Sequence, residues 1–390
     1  MLWALAFALF QERNHECPAQ PPSQVEIDKA VARGVEYLRS VMKKAELDLD
    51  AHGGHTLEEL MLAALAYGGL PEAHEEVQWL LKRSLSHAPA KTYETVLLCV
   101  ALDKFDAEFY TWKLVECGQF LLDNECENGQ WSYGRPTELD AKTKKLIEEL
   151  KVWGEQRRKK RAKNKDSTKS RLKIELKPKP LGQPSGDNSN TQVAALGLRI
   201  CGDAGIVFPK ANLELARTWW LDNQRNDGSW GYGAGADQGD GYISMTAGGV
   251  SSLRVLQDLI ERGLPKRSRD AKAGTVAASV DRGTKWMGEN FTYHPRYAVF
   301  MRAPYSHYSI ERVGILGSLE KIGPHPWYAE GAYDLLRSQQ SDGSWTLSRA
   351  RGKDEKETTK WAIIDTSIAI LFFKRSVRPP VASGDDRKKP

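Results

Sequence analysis

Apolar positions along the chain fall into two alternating helical patterns. The first is amphipathic, with apolar residues three and four apart and a polar opposite face. It recurs at Val25–Val41, Glu72–Ser84, Glu108–Leu122, Leu213–Asn223, Val280–Asn290 and Trp327–Gln340. The second is apolar nearly all round and rich in Ala and Gly, and each copy opens on a hydroxyl residue. Its copies begin near Thr56, Thr95, Thr191, Thr246, Ser309 and Thr366. The last three intervals are 55, 63 and 57 residues, and the long gap between Thr95 and Thr191 matches them once residues 141–180 are set aside. A repeat of this length built from two helices cannot bury both faces alone, so neighbours must stack. The alternation predicts six hairpins, each an outer amphipathic helix followed by an enclosed inner one. Neither terminal hairpin shows a polar capping face, which favours a closed ring over an open solenoid.

Three short passages punctuate this pattern: Glu127-Asn-Gly-Gln-Trp131-Ser-Tyr-Gly134, Asn226-Asp-Gly-Ser-Trp230-Gly-Tyr-Gly233 and Ser341-Asp-Gly-Ser-Trp345. Each follows an outer helix. Gly supplies the positive φ that ends a helix without a Cβ penalty. The Trp is then expected to fold back over that helix end, its ring covering apolar area and its N–H finding a carbonyl.

Composition refines the picture in three places. The net charge is +5, but residues 141–180 hold 16 Lys/Arg against 5 Asp/Glu, so the rest of the chain is mildly acidic. That basic insertion, with a helix expected over Lys142–Trp153 and a mobile charge-dense stretch after it, is where an acidic partner would bind; it carries no aromatic ladder of the kind that reads single-stranded nucleic acid. The first 23 residues, opening Met1-Leu-Trp-Ala-Leu-Ala-Phe-Ala-Leu-Phe10, resemble the apolar region of an export signal and a linker, so a periplasmic or extracellular location is expected. The ten-residue apolar run is too short to span a bilayer, and no other stretch is apolar enough, so no transmembrane span is expected. The ring is placed at residues 24–375 and a disordered tail at 376–390. The five cysteines (Cys17, Cys99, Cys117, Cys126, Cys201) form neither a CxxC pair nor a zinc-like spacing, and Cys99, Cys117 and Cys201 read as small buried hydrophobes.

The Asp-Gly-Ser-Trp passages, with a preceding Gln at Gln224 and Gln340, resemble the QW motifs of the prenyltransferase/squalene oxidase repeat. The resemblance covers residues 25–375 apart from the insertion. It implies an all-α fold, an α/α toroid of about six helical hairpins like that of terpenoid cyclases and protein prenyltransferases. It implies much less about activity, because one toroid carries many chemistries. In class II cyclases of this family an Asp-x-Asp-Asp segment before an inner-helix Thr protonates an alkene. Here Asp187-Asn188-Ser189-Asn190 precedes Thr191, with Ser at the central acid position, and only Asp365 survives before Thr366. Prenyl transfer needs an Asp-x-Cys pair on zinc, and none of the cysteines has Asp two residues before it; His307 alone resembles a family ligand. His52 and His55 have no third ligand nearby. Neither metal nor other cofactor is expected.

In a toroid the ends of the inner helices converge, so residues distant in sequence share one mouth. Asp187, His307, Glu311 and Asp365 are the candidate acid–base groups. Tyr93, Glu94, Asn188, Asn190, Gln192, Tyr242 and Tyr308 are the candidate ligand contacts. A competing role exists for Asp187 and Asp365, since both residue types make ordinary N-caps. This polar, aromatic set predicts a central cavity for an unidentified small-molecule or glycan ligand. The alternatives are an acid/base hydrolase or lyase acting on a glycan, and a non-catalytic scaffold.

Overall fold

The computed structural model describes residues 22–43, 57–164, 172–177, 182–233, 241–264, 268–293, 303–347 and 355–376. The signal-like segment to residue 21, His52, His55 and the tail from residue 377 lie outside them. The described residues are almost entirely helical. The outer helices are α1 (Gln24–Lys43), α3 (Glu75–Ser86), α5 (Thr111–Asp123), α8 (Lys210–Asp222), α10 (Ala273–Glu289) and α12 (Trp327–Ser338). The inner helices are α2 (Leu57–Tyr67), α4 (Thr92–Asp106), α7 (Asn188–Asp203), α9 (Ile243–Arg262), α11 (Ala303–Leu316) and α13 (Glu355–Phe373). All six hairpins predicted from the alternation are present.

The inner helices pack in the order α2–α4–α7–α9–α11–α13, and α13 packs back onto α2. The ring is closed. Burial explains the two patterns: in α2, Leu57 to Ala66 are all buried, whereas α3 buries only Glu76, Val77, Leu80, Leu81 and Ser84. A helix enclosed on every side cannot tolerate a polar stripe, while an outer helix needs only one apolar face.

The three glycine–tryptophan turns work identically. The indole N–H of Trp131, Trp230 and Trp345 donates to the carbonyl ten residues back, Leu121 (2.7 Å), Trp220 (2.9 Å) and Leu335 (2.7 Å). The backbone N–H of each Trp donates to a hydroxyl on the following inner helix: Thr191 (3.0 Å), Thr246 (3.1 Å) and Thr366 (3.0 Å). Gly129, Gly228 and Gly343 have φ of 84°, 93° and 92°. A β-carbon on them would lie 2.6, 2.8 and 2.5 Å from the carbonyl oxygens of Leu215, Arg282 and Arg33 on the next outer helix. Each turn therefore stitches three helices, and the third stitches the last hairpin to α1.

A glutamine six residues before the Trp completes the stitch in two copies. Gln224 Nε2 donates to Gly228 O and Ser279 O, both at 2.9 Å. Gln339 Nε2 donates to Gly343 O and Ala30 O, also at 2.9 Å. The equivalent residue is thus Gln339, not the Gln340 that the motif resemblance suggests. In the first copy the position holds Glu125, fully buried and accepting from Asn212 Nδ2.

The basic insertion departs from expectation. Helix α6 (Ala141–Asn164) runs past Trp153 into the first part of the charge-dense stretch and packs on α5. Its arginines are neutralised within the molecule: Arg158 reaches Glu72 (2.9 Å) and Asp106 (3.3 Å), Arg157 reaches Glu108 (3.0 Å), and Arg161 reaches Asp106 (2.5 Å) and Glu108 (3.1 Å). The Arg158 guanidinium also lies over the Phe109 ring at 3.4 Å. These carboxylates, not the mean charge of the segment, hold the helix in place. After α6 a short strand β1 (Ile174–Glu175) pairs in parallel with β2 (Ile206–Val207), a small exception to the all-α reading. Among the described residues no helix is long and apolar enough to cross a membrane. Cys99, Cys117, Cys126 and Cys201 are all buried free thiols.

Candidate functional site

The N-terminal parts of the inner helices α4, α7 and α11 meet on one side of the ring, as their side-chain contacts show. Helix α4 begins with Thr92-Tyr93-Glu94, α7 with Asn188-Ser189-Asn190 and α11 with Ala303-Pro304-Tyr305. In the ring order α4 and α11 are opposite one another, yet Tyr93 Oη lies 3.1 Å from Tyr305 Oη. Tyr93 Oη also lies 2.8 Å from Ser189 Oγ on α7. Gln192 of α7 donates its amide to Tyr305 Oη at 2.8 Å and accepts from Arg312 of α11. The Tyr93–Ser189 bond joins neighbouring helices, but the bonds of Tyr305 to Tyr93 and Gln192 and of Arg312 to Gln192 join helices that do not pack side by side, so those side chains cross the axis of the toroid. The mouth is spanned by a polar bridge: Ser189, Tyr93, Tyr305, Gln192, Arg312.

Around the bridge the other candidates divide. Asp187 caps α7, with extended φ and ψ of −138° and 159°, accepting from Asn190 N at 2.8 Å and Asn190 Nδ2 at 2.7 Å. Asn190 is fully buried, and among the described residues its Oδ1 has no hydrogen-bond partner. Asn188 is drawn into the framework instead: its Oδ1 accepts from Trp219 Nε1 (2.8 Å) and Gln130 Nε2 (3.0 Å), and its Nδ2 donates to Gly231 O (3.0 Å). Tyr242 is the N-cap residue of α9 and Glu94 lies in the first turn of α4, both partly exposed.

Two placements differ from the sequence reading. Asp365 is not at a helix start, because α13 begins at Glu355; the residue is 2% exposed inside the helix. The register of Thr366 is nevertheless kept, because its hydroxyl must meet Trp345, and the helix simply extends further in the N-terminal direction. His307 faces the outer layer: Nε2 is 3.1 Å from Asp334 Oδ2 on α12, the ring stacks on Tyr293 at 4.0 Å, and Phe372 meets it edge-on at 5.3 Å. Glu311, one turn on, is fully buried. Asp187 and His307 therefore belong to different layers of the molecule, one at the mouth and one between α11 and α12.

Arg312, Tyr305 and the pair Tyr133 and Tyr232 are not among the candidates the sequence offers, and Ser189 stands out there only as the replacement of an acid. Arg312 had a signal: it is a charge within the otherwise enclosed stretch Ser309-Ile-Glu-Arg-Val-Gly-Ile-Leu316. Tyr133 and Tyr232 stand two residues after Trp131 and Trp230 and are 47% and 41% exposed. Burial, then the Asp187 carboxylate, raises both phenols, Tyr232 to about 12. Burial likewise pushes Tyr308 up to about 12, against the opposing pull of Arg312, whose guanidinium lies 4.8 Å from the ring centre.

On the other side of the ring Tyr308 lines a small pocket with Tyr67, Val100, Leu196, Arg199 and Ser376. Its free volume is about 20 Å³, room for one or two waters. Among the described residues no group of three or more His, Cys, Asp or Glu side chains is arranged to hold a metal ion.

No family model matches the chain, and no curated protein matches it. Two solved structures align with it over nearly their whole length. A type II terpene cyclase, MstE from Scytonema, in a variant complexed with geranylgeranyl dihydroxybenzoate as substrate, is 11% identical over 91% of this chain and 99% of its own, with a TM-score of 0.46. The same cyclase without ligand is 12% identical over 90% and 98%, with a TM-score of 0.45. The chain is similar to these type II terpene cyclases in its all-α, cyclase-like fold.

Proposed function

We propose that the chain is a ligand-binding toroid whose mouth takes a polar, hydroxyl-rich molecule, such as an oligosaccharide, and that it does not cyclise a hydrocarbon. The observation that carries this reading is the polar bridge across the axis. A hydrocarbon placed against the partly exposed phenols of Tyr93 and Tyr305 strips water from their polar atoms and returns no hydrogen bond, at roughly 1–3 kcal/mol for each group. Sugar hydroxyls exchange with that water at little cost. The half-exposed rings of Tyr133 and Tyr232 beside Asp187 add apolar faces carrying a polar edge, a combination suited to sugar rings. Ser189, where the family resemblance places the proton-donating carboxylate, instead bonds to Tyr93, and a serine hydroxyl is far too weak an acid to protonate an alkene.

Calorimetric titration tests the reading. Full-length chain is titrated with a panel of neutral oligosaccharides and, separately, with a geranylgeranyl-bearing amphiphile. Saturable binding of a saccharide, weakened at least tenfold in Tyr133→Ala/Tyr232→Ala with unchanged melting temperature, supports the proposal. Tight binding of the prenyl compound with no saccharide binding refutes it. Turnover of the bound saccharide replaces a binder with a glycan-acting enzyme at the same mouth.

A further inference from the structure

Among the described residues three arginines are almost wholly buried, and they are not treated alike. Arg217, 2% exposed, meets Asp270 at 2.6 Å. Arg199, 3% exposed, has Asp203 at 3.6 Å. Arg312, 1% exposed, makes no ion pair with any described residue. One terminal nitrogen donates to Gln192 Oε1 and, at 3.2 Å, to Ser309 Oγ. Among the described residues its Nε and its other terminal nitrogen, both buried, have no hydrogen-bond partner of good geometry, and the Tyr308 hydroxyl also bears on the guanidinium. A buried cation without a counter-charge is costly, and proteins ordinarily pair it. Here the cation sits on the axis, beside the bridge, at the level where α4 and α7 present the positive ends of their helix dipoles.

From this geometry we infer that Arg312 is an anion-binding residue, and that the molecule taken up at the mouth carries an oxyanion, a carboxylate or a phosphate. The inference rests on the mouth being a polar-ligand site and specifies what that ligand carries. The guanidinium supplies the charge-assisted donors that such groups select. Gln192 and Ser309 fix its orientation, and Tyr308 beneath it shields one face. Two carboxylates bear on the local charge: Glu311, the neighbour on α11, acts on Tyr308, and Asp187 acts on Tyr305. Neither is within ion-pair distance of Arg312, so the site keeps a positive centre facing the axis.

Thermal melting of the full chain, at constant ionic strength held with chloride, is followed against acetate, inorganic phosphate, galacturonate and glucose 6-phosphate. The expected result is a saturable rise in melting temperature, abolished or shifted at least tenfold in midpoint by Arg312→Met. Arg312→Met is expected to melt no lower than wild type without anion, because it removes an unpaired charge. Arg312→Lys, which keeps the charge, is expected to retain part of the response, and Arg199→Gln all of it. A stronger response to the sugar acids than to acetate and phosphate assigns the oxyanion to a larger ligand; equal responses assign it to a free small anion, and both uphold the site. Three results overturn it: no saturable response to any oxyanion, meaning the guanidinium is satisfied by water alone; a response that Arg199→Gln removes and Arg312→Met does not; or a lower anion-free melting temperature in both Arg312 variants, meaning the side chain is a framework donor. Neutral oligosaccharide binding that survives Arg312→Met and fails in Tyr133→Ala/Tyr232→Ala would keep the mouth as a binding site while this inference falls.

Discussion

The wall of the toroid and its axis obey different rules. In the wall the same solution appears three times: a glycine at positive φ against the next outer helix, an indole bonded to the carbonyl ten residues back, and a threonine hydroxyl receiving the Trp N–H. At the axis nothing repeats. Tyr93, Gln192 and Arg312 come from three inner helices, and each residue type differs. Repetition marks what every hairpin needs in order to stack, and the side chains that meet across the axis are under no such requirement.

The largest effect expected in the wall comes from removing a tryptophan. Trp230 is fully buried, packs edge-to-face on Trp220 at 6.1 Å and lies against Gly249 and Gly283. Trp230→Ala is expected to cost about 3–5 kcal/mol in urea unfolding, by lost burial and the cavity left behind. A loss below about 1 kcal/mol would mean that the turns decorate the ring rather than hold it.

The next effect sharpens the comparison, because one wall position breaks the repeat. Glu125 stands where Gln224 and Gln339 stand, and burial pushes its carboxyl up to about 8, opposed only by the Asn212 hydrogen bond. Its folded pKa lies above the unfolded value of about 4.3, so the stability tied to its neutral form is complete below pH 4.3 and is lost as pH rises to about 8. Glu125→Gln should remove this loss and leave the variant a few kcal/mol more stable than wild type above pH 8, with little difference at pH 4.5. Identical pH–stability curves for the two proteins would show that water reaches the carboxylate.

The smallest expected effect concerns a single hydroxyl. Thr246→Val keeps the shape of the side chain and leaves the Trp230 N–H without its acceptor, at about 1–3 kcal/mol. The same change at Thr366, deep inside α13 rather than near a helix start, should cost a similar amount, because the bond is the same although the helix context differs. Unequal losses in chemical denaturation would break the equivalence of the copies.

These contrasts explain what the sequence made legible. Six hairpins, their inner and outer faces and the fold-back of the tryptophans all follow from periodicity and turn chemistry, which are local. Closure was legible only indirectly, through the lack of a polar cap. The bridge was half visible. Tyr93 and Gln192 stand at inner-helix starts, but their meeting with Tyr305 and Arg312 depends on which helices oppose one another across the ring. Asp365 and His307 misled for a related reason: a hydroxyl landmark such as Thr366 or Ser309 fixes register against the wall and not where the helix begins or which layer its neighbours face. The length of α6 was hidden because Glu72, Asp106 and Glu108 lie far from it in sequence.

Closure has one more consequence. Arg33 donates to the carbonyls of Gln340 (2.6 Å) and Ser341 (3.1 Å), Gln339 reaches Ala30 O (2.9 Å), and Lys374 pairs with Asp28 (2.7 Å). A linear array of repeats can fray from whichever end is weaker. A clasped circle has no weaker end, so loosening any one hairpin exposes two neighbours at once. Unfolding should proceed as a single cooperative event, and a circular permutant opened in the segment between α3 and α4, residues 87–91, with the clasp joined by a linker, should retain both the fold and that cooperativity.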